Sequence, residues 1–375
     1  MTESPSKIFI VAGEASGDLH GAKLMAAMNN VQPSIQWLGH GGDAMKKEGL
    51  SLLHHIDSLS MMGFSEVLSQ LPFMVRVMRE TTTTIKNEKP DRIILVDYPG
   101  FNLRLIKQIA HLGIPVTYFI LPQVWAWKQN RIEILKRYTS QCISIFPFEL
   151  EWFESHGLMV DFVGHPFVET VIEPDRIDRF HKRLSLNMDS PRLILLPGSR
   201  QQEINRHWNI FLQTVQEVLR KQPHVQILLG KAPGVEIPSI PDFIKVETDD
   251  IPTAIQSATA ALAASGTVTL ETAVLDTPTV VCYRLSSVSW MLAKWFVHAP
   301  YASMANLIAN ASVVPEFLQG AMEPTSLAKA LLPLLSNTPE RKSMLSGFET
   351  IRRSLGVVGV YRRAAQTILD RMGNE

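Results

Sequence analysis

Cysteine is nearly missing from this chain. Two occur in 375 residues, Cys142 and Cys282, each inside an apolar stretch and far apart. Neither a disulfide framework nor a cysteine-based metal site is available, which suits a reducing cytoplasm. A surplus of one charge is missing too. Lys and Arg number 36 and Asp and Glu 36, and without a basic excess a general nucleic-acid binder is excluded. No run is apolar enough to span a membrane. The longest uncharged stretch, residues 251–270, is full of Ser, Thr and Gly and contains Pro252. The opening residues, MTESPSKIFIVAGEASGD, hold only a short apolar run before acids, so no signal peptide is expected. No D-x-D triplet occurs, so no carboxylate-held divalent metal is expected, and no cofactor.

What is present is enough apolar material, 46% of residues, for a sizeable core, on a length that suits two domains. The chain is organised around residues 258–283. Residues 260–264 read as a strand, Ser265-Gly266-Thr267 as a turn, Val268 onward as a helix, and residues 279–283 as the next strand. A small-residue turn at a helix start offers free N–H groups and the positive end of the helix dipole to an anion. Thr267 and Glu271, four apart, share a helix face. Phosphate at the turn would then lie about a turn away from a carboxylate able to accept ribose hydroxyls, which is a nucleotide-diphosphate site. The plainer reading is an ordinary turn with Thr267 as N-cap and Glu271 in water.

In chain order, residues 7–12 read as a buried strand leading into Gly13, Glu14, Ser16, Gly17, Asp18 and His20 at the start of a helix. The glycines fall at 13, 17 and 21, not at dinucleotide spacing. Acids at 14 and 18 also disfavour a pyrophosphate there, so a hydroxyl-rich ligand or a catalytic acid is expected, or an N-cap at Ser16 or Asp18. Residues 61–78 are unusually apolar. Met61, Met62, Phe64, Val67, Leu68 and Leu71 suit either an acyl-chain or membrane surface or a core helix. Residues 92–96 are a strand ending at Asp97, which either acts as a base or caps the helix after Pro99. Residues 116–120 lead into Gln123, Trp125, Trp127 and Lys128, a turn able to hold a sugar or phosphate, or else an interface plug. Strands are also expected at 142–146 and 161–163.

Residues 169–190 are a polar lapse, and a domain boundary is expected near 168. A second α/β series starts at 192–196 and runs into Ser199, Arg200, Gln202 and Glu203, with Ser199 and Gln202 at capping-box spacing. Arg200 at that helix start could clamp a phosphate. Strands at 225–229 and 244–247 follow, then an aromatic-basic stretch from Trp290 to His298, and a largely helical end from Arg341 to Met372.

Several of these stretches carry a family resemblance. AGEASGDLHGA (12–22), MGFSEVL (62–68), VDYPGFNLRL (96–105), LPQVWAWK (121–128), FPFE (146–149), VGHP (163–166), LLPGSR with Glu203, ASGTVTLE (264–271) and VVPEFLQ (313–319) run in order across nearly the whole chain. Together they resemble the bacterial lipid A disaccharide synthases. The resemblance implies an α/β GT-B fold, two Rossmann-like domains facing a cleft: an acceptor domain (1–168), a UDP-sugar domain (169–345) and a C-terminal helical segment (346–375) packing back toward the first. It implies inverting, metal-independent condensation of UDP-2,3-diacylglucosamine with 2,3-diacylglucosamine 1-phosphate, giving a β-1,6-linked disaccharide 1-phosphate and UDP. The enzyme would be cytoplasmic and peripheral on the inner membrane, and in that setting the acyl or membrane reading of 61–78 gains over the core reading.

On these motifs the candidate base is Asp97, with His20 and then Glu14 as the other catalytic candidates. Substrate contacts are expected from Ser16, Gly17, Asp18, Asn102 and the 123–128 turn in the first domain. In the second they are expected from Ser199, Arg200, Glu203, the 265–267 turn, Glu271, Asn306, Glu316 and Gln319. Two departures stand out. Leu121 replaces a usual Ser, and Ala305-Asn306-Leu307-Ile308-Ala309-Asn310-Ala311-Ser312 lacks the family's Arg-Glu pair, which bears on donor contacts or acyl preference. The alternatives are another GT-B enzyme of UDP-GlcNAc type and a non-catalytic sugar-nucleotide sensor.

Overall fold

The computed structural model describes residues 6–60, 67–287, 289–291 and 299–374. By internal contacts the chain divides into two compact units, residues 1–166 with 357–375, and residues 167–356. The second unit includes helix Pro339–Ser354, which packs on helices Val268–Val274 and Met304–Ala309. Only helix Val360–Asn374 returns to the first unit, where it packs on helix Ala15–Val31.

The first unit is a seven-stranded parallel sheet. Its strands are β1 (Lys7–Val11), β2 (Gln36–Gly41), β3 (Leu50–His55), β4 (Arg92–Val96), β5 (Val116–Phe119), β6 (Gln141–Ser144) and β7 (Asp161–Phe162), in the order β3-β2-β1-β4-β5-β6-β7. The second unit is a six-stranded parallel sheet of β8 (Arg192–Leu196), β9 (Gln226–Gly230), β10 (Ile244–Glu247), β11 (Ala260–Ala264), β12 (Thr279–Tyr283) and β13 (Glu316–Leu318), in the order β10-β9-β8-β11-β12-β13. The apolar runs of β4 and β11 are buried at every residue, as expected when helices cover both faces of a parallel sheet. Cys142 and Cys282 are buried free thiols.

Both sheets share the doubly wound order, and in such sheets ligands bind at the carboxyl ends of the two strands where the winding reverses. In the first sheet these are β1 and β4, which present Gly13-Glu14 and Asp97-Tyr98. In the second they are β8 and β11, which present residues 197–200 and 265–267.

The apolar stretch 61–78 divides. Met61, Met62 and Phe64 lie outside the described residues, as do the side chains of Val67, Leu68 and Leu71. From Phe73 on, one face of the stretch is core: Val77 and Met78 are buried, with Phe73 and Met74 packed against the same cluster, while Val75 is exposed. The expected stretch 290–298 is helical at Trp290 and Met291, and 292–298 lie outside the described residues.

Candidate functional site

At the first switch point, β4 ends in two successive residues in the left-handed region, Asp97 (φ 45°) and Tyr98 (φ 49°). Each costs about 1–3 kcal/mol for a non-glycine residue and persists only where the surroundings over-determine it. Here they do. The Asp97 N–H donates to the Phe119 carbonyl (3.0 Å), and the Asp97 carbonyl accepts from Asn102 Nδ2 and from the Tyr118 hydroxyl, both at 2.7 Å. Pro99 then starts helix Pro99–Ile109. Tyr98 lies so close over Gly13 that a Cβ there would fall 2.2 Å from its ring, so only glycine fits. Burial pushes the Asp97 carboxyl up to about 6, Glu14 adds to the shift by charge repulsion, and the Tyr98 N–H opposes it. The result is a carboxyl poised near the working pH of a general base.

Asn102 thereby clamps the Asp97 backbone, and its side chain is wholly buried. Asp18 is held from within the fold too. Its carboxylate accepts from the backbone N–H groups of Gly42 (2.6 Å), Ala44 and Met45 (both 3.0 Å). It thus caps helix Asp43–Lys47, which stands beside its own helix. The N-cap of helix Ala15–Val31 is Glu14, not Ser16 or Asp18. Glu14 and Ser16 are exposed, while Gly17 is buried against Ala12. His20 shares a hydrogen bond between Nδ1 and the Tyr361 hydroxyl (2.8 Å), and burial, then Lys23, lowers its pKa to about 4.

Glu149 escaped the sequence reading. It is wholly buried at the start of helix Pro147–Ser155 and accepts from Trp125 Nε1 (2.9 Å) and Ser144 Oγ (2.5 Å). Burial pushes its carboxyl up to about 8, against the pull of those donors, and Asp97 adds to the rise. Glu149 thereby fixes the Trp125 indole, which stands edge-on to Phe148 (4.9 Å). The FPFE motif was the available signal, but its Trp125 partner lies on a separate turn, beyond the reach of local pattern. Gln123, Trp127 and Lys128 are exposed on the same turn.

At the second switch point Glu271 carries the clearest ligand signature. Burial alone pushes its carboxyl up to about 7, and it makes no hydrogen bond or ion pair among the described residues. Gly266 and Thr267 are exposed, and Thr267 begins helix Val268–Val274 without a side-chain cap bond. Ser265 Oγ donates to the Ala302 carbonyl (2.6 Å).

The expected capping box at Ser199 and Gln202 shifts by one residue. Arg200 is the N-cap, and Glu203 Oε2 accepts from the backbone N–H groups of Ser199 (3.0 Å) and Arg200 (3.3 Å). Gly198 (φ 131°) allows this approach, since a Cβ there would meet Glu203. The Tyr283 hydroxyl donates to the other oxygen of Glu203 (2.9 Å), so Glu203 builds the turn. Arg200 stays exposed, 3.6 Å from Glu203.

Asn306 and Glu316 likewise brace the site from within. Glu316 accepts from the N–H groups of Ala302 and Ser303 and from Asn306 Nδ2, all at 2.8–2.9 Å. Asn306 Oδ1 accepts from Val313 and Val314, while its Nδ2 also donates to the Val314 carbonyl. This brace holds Ala302 against Ser265 and the Met304 N–H on Thr269 Oγ1 (3.2 Å). The Gln319 amide, oriented to satisfy both its ends, pairs with the backbone of Leu285 (3.3 and 2.9 Å). Replacing Asn306 by Ala strands several buried polar groups and is expected to cost about 3 kcal/mol of stability, read from the urea midpoint. A loss under about 0.5 kcal/mol, the range of ordinary surface substitutions, would deny the brace. Among the described residues no group of three or more His, Cys, Asp or Glu is placed to share a metal ion.

The family model for lipid-A-disaccharide synthetase matches residues 8–367. The lipid-A-disaccharide synthase of Myxococcus xanthus (strain DK1622) is 35% identical over 374 residues, 98% of this chain and 98% of that one. That of Syntrophus aciditrophicus (strain SB) is 35% identical over 369 residues, 96% of each. Among solved structures, a calicheamicin glycosyltransferase superposes with a TM-score of 0.62 at 14% identity, covering 99% of both chains. At that identity the likeness shows the fold alone, GT-B.

Proposed function

We propose, from the premise that this chain belongs to the lipid-A-disaccharide synthetase family and is a glycosyltransferase of lipid A biosynthesis, that it condenses UDP-2,3-diacylglucosamine with 2,3-diacylglucosamine 1-phosphate. The products are a β-1,6-linked disaccharide 1-phosphate and UDP. The observation that carries this reading is the Asp97 carboxyl, held at the first switch point by a strained, doubly clamped backbone and raised to about 6.

The acceptor and the base are assigned to the first unit and the UDP of the donor to the second. Asp97 takes the proton from the acceptor 6-hydroxyl as its oxygen bonds to the donor's anomeric carbon. The bond from that carbon to UDP breaks with its electron pair, and attack from the opposite side inverts the centre. Glu271 accepts from the ribose hydroxyls. The exposed guanidinium of Arg200 and the N–H groups of the 265–267 turn offset the charge that develops on the leaving diphosphate. No metal is needed for this step. Acyl chains or the cytoplasmic face of the inner membrane engage residues 61–71. No described helix is long and apolar enough to cross a membrane.

The test is incubation with both diacylated sugars in EDTA, with mass spectrometry of the products. UDP and a disaccharide 1-phosphate are expected in equal amounts. UDP binding without disaccharide would make the chain a sensor, and activity only with added Mg²⁺ would defeat the metal-free step.

A further inference from the structure

The turn after β5 holds charge that no carboxylate among the described residues neutralises. Trp127 is 47% exposed, and two cations lie over its ring, Lys128 Nζ at 4.1 Å and Arg131 Cζ at 5.8 Å from the centroid. Lys128 is held at a φ of 54°, and the Arg131 N–H donates to its carbonyl (2.9 Å). Among the described residues neither cation has a carboxylate partner. Glu133, on the adjacent helical turn, is taken by Lys136 (3.0 Å), and Glu149 is buried on Trp125 and Ser144. This happens in a chain whose acids and bases are equal in number. The patch follows the carboxyl end of β5, which pairs with β4, the strand that ends at Asp97.

An exposed indole presents an apolar face to a pyranose. A guanidinium beside it offers a planar fork to phosphate, and an ammonium offers a point charge. The cation–π contacts hold both heads in place before a ligand arrives. We propose that Trp127, Lys128 and Arg131 form the subsite for the anomeric phosphate of the acceptor sugar, and so select a phosphorylated acceptor over the same sugar with a free anomeric hydroxyl. This rests on the transfer reaction proposed above, in which the acceptor carries its phosphate on C1, on the other side of the ring oxygen from the carbon that bears the reacting 6-hydroxyl arm. A phospholipid headgroup offers the same phosphate chemistry, so the assay must separate the two.

The experiment compares Lys128→Met and Arg131→Met with the wild type in detergent micelles free of phospholipid, using 2,3-diacylglucosamine with and without its 1-phosphate. Each variant is expected to raise KM for the phosphorylated acceptor about tenfold, the worth of one hydrogen bond to a charged group. KM for the dephosphorylated acceptor and for the donor should move by less than about twofold. An unchanged KM, or equal rises for both acceptors or for the donor, overturns the subsite. So does a defect that appears only on phosphatidylglycerol vesicles, which makes the cations a headgroup contact. If a variant fails to fold, the wild type decides: the dephosphorylated acceptor must have a KM about tenfold higher, and equal values overturn the proposal. Wild-type protein that forms no disaccharide defeats the transfer reaction itself; wild-type protein that forms it without discriminating defeats only the subsite.

Discussion

Asp97→Asn is expected to lower kcat by about 10²- to 10⁴-fold, the usual loss on removing a general base, while UDP binds as before. Asn is the fair substitution because it tolerates positive φ nearly as Asp does, so the strained backbone at residue 97 survives and only the charge is removed. A base must be unprotonated to act. With its carboxyl raised to about 6 by burial and by Glu14, the rate should fall as pH drops through about 6, not through the ordinary carboxylate range near 4. The Asn variant should lack that limb. His20 is the weaker rival. Its lowered pKa, about 4, leaves it neutral but feebly basic, and its Nδ1 is engaged by Tyr361. A variant at residue 97 keeping a tenth or more of kcat, with His20→Ala collapsing instead, would transfer the role to His20.

Glu271→Ala is expected to weaken UDP binding by about 1–3 kcal/mol, or roughly 5- to 150-fold. The carboxyl is largely buried and, among the described residues, lacks any hydrogen bond, so a ribose hydroxyl would supply the donor that it lacks. The sign of the pH effect follows. Hydroxyl donors favour the ionised carboxylate, so binding draws off the proton that burial retains. UDP affinity should therefore decline as pH falls below about 7, and the Ala variant should show no such decline. Calorimetry at pH 6 and pH 8 on folded protein measures both. An affinity unchanged by the substitution would remove Glu271 from the nucleotide site.

Several polar residues of the expected site share one feature. Asp18, Asn102, Glu203, Asn306 and Glu316 are polar residues in ligand-like motifs, and each is hydrogen-bonded to backbone or side-chain partners within the fold. Some partners are near in sequence, such as Asp97 for Asn102. Others are far, such as residues 42–45 for Asp18 and Tyr283 for Glu203. A motif states that a residue matters near a site; it does not distinguish touching the ligand from holding the loop that does. Asp97 and Glu271 were readable as candidates because each follows an apolar run ending in a turn, a local pattern.

The sequence by itself determined the parallel α/β class, the strands with uninterrupted apolar runs such as β4, β8, β11 and β12, and the turns at their carboxyl ends. Burial on both faces of a parallel sheet demands such runs, and they are local. It did not reveal β2 or β3, whose QWLGHG and LSLLHH mix glycine, histidine and polar residues and show no clear period. Only the tertiary structure decided the strand order, and with it which turns become neighbours. Gly13 meets Tyr98 because β1 pairs with β4, and the Pro197–Arg200 turn stands beside Ser265 because β8 pairs with β11. Adjacency of segments so far apart in sequence rests on the pairing of whole strands, whose apolar faces would accept several neighbours. No single residue in either segment encodes it.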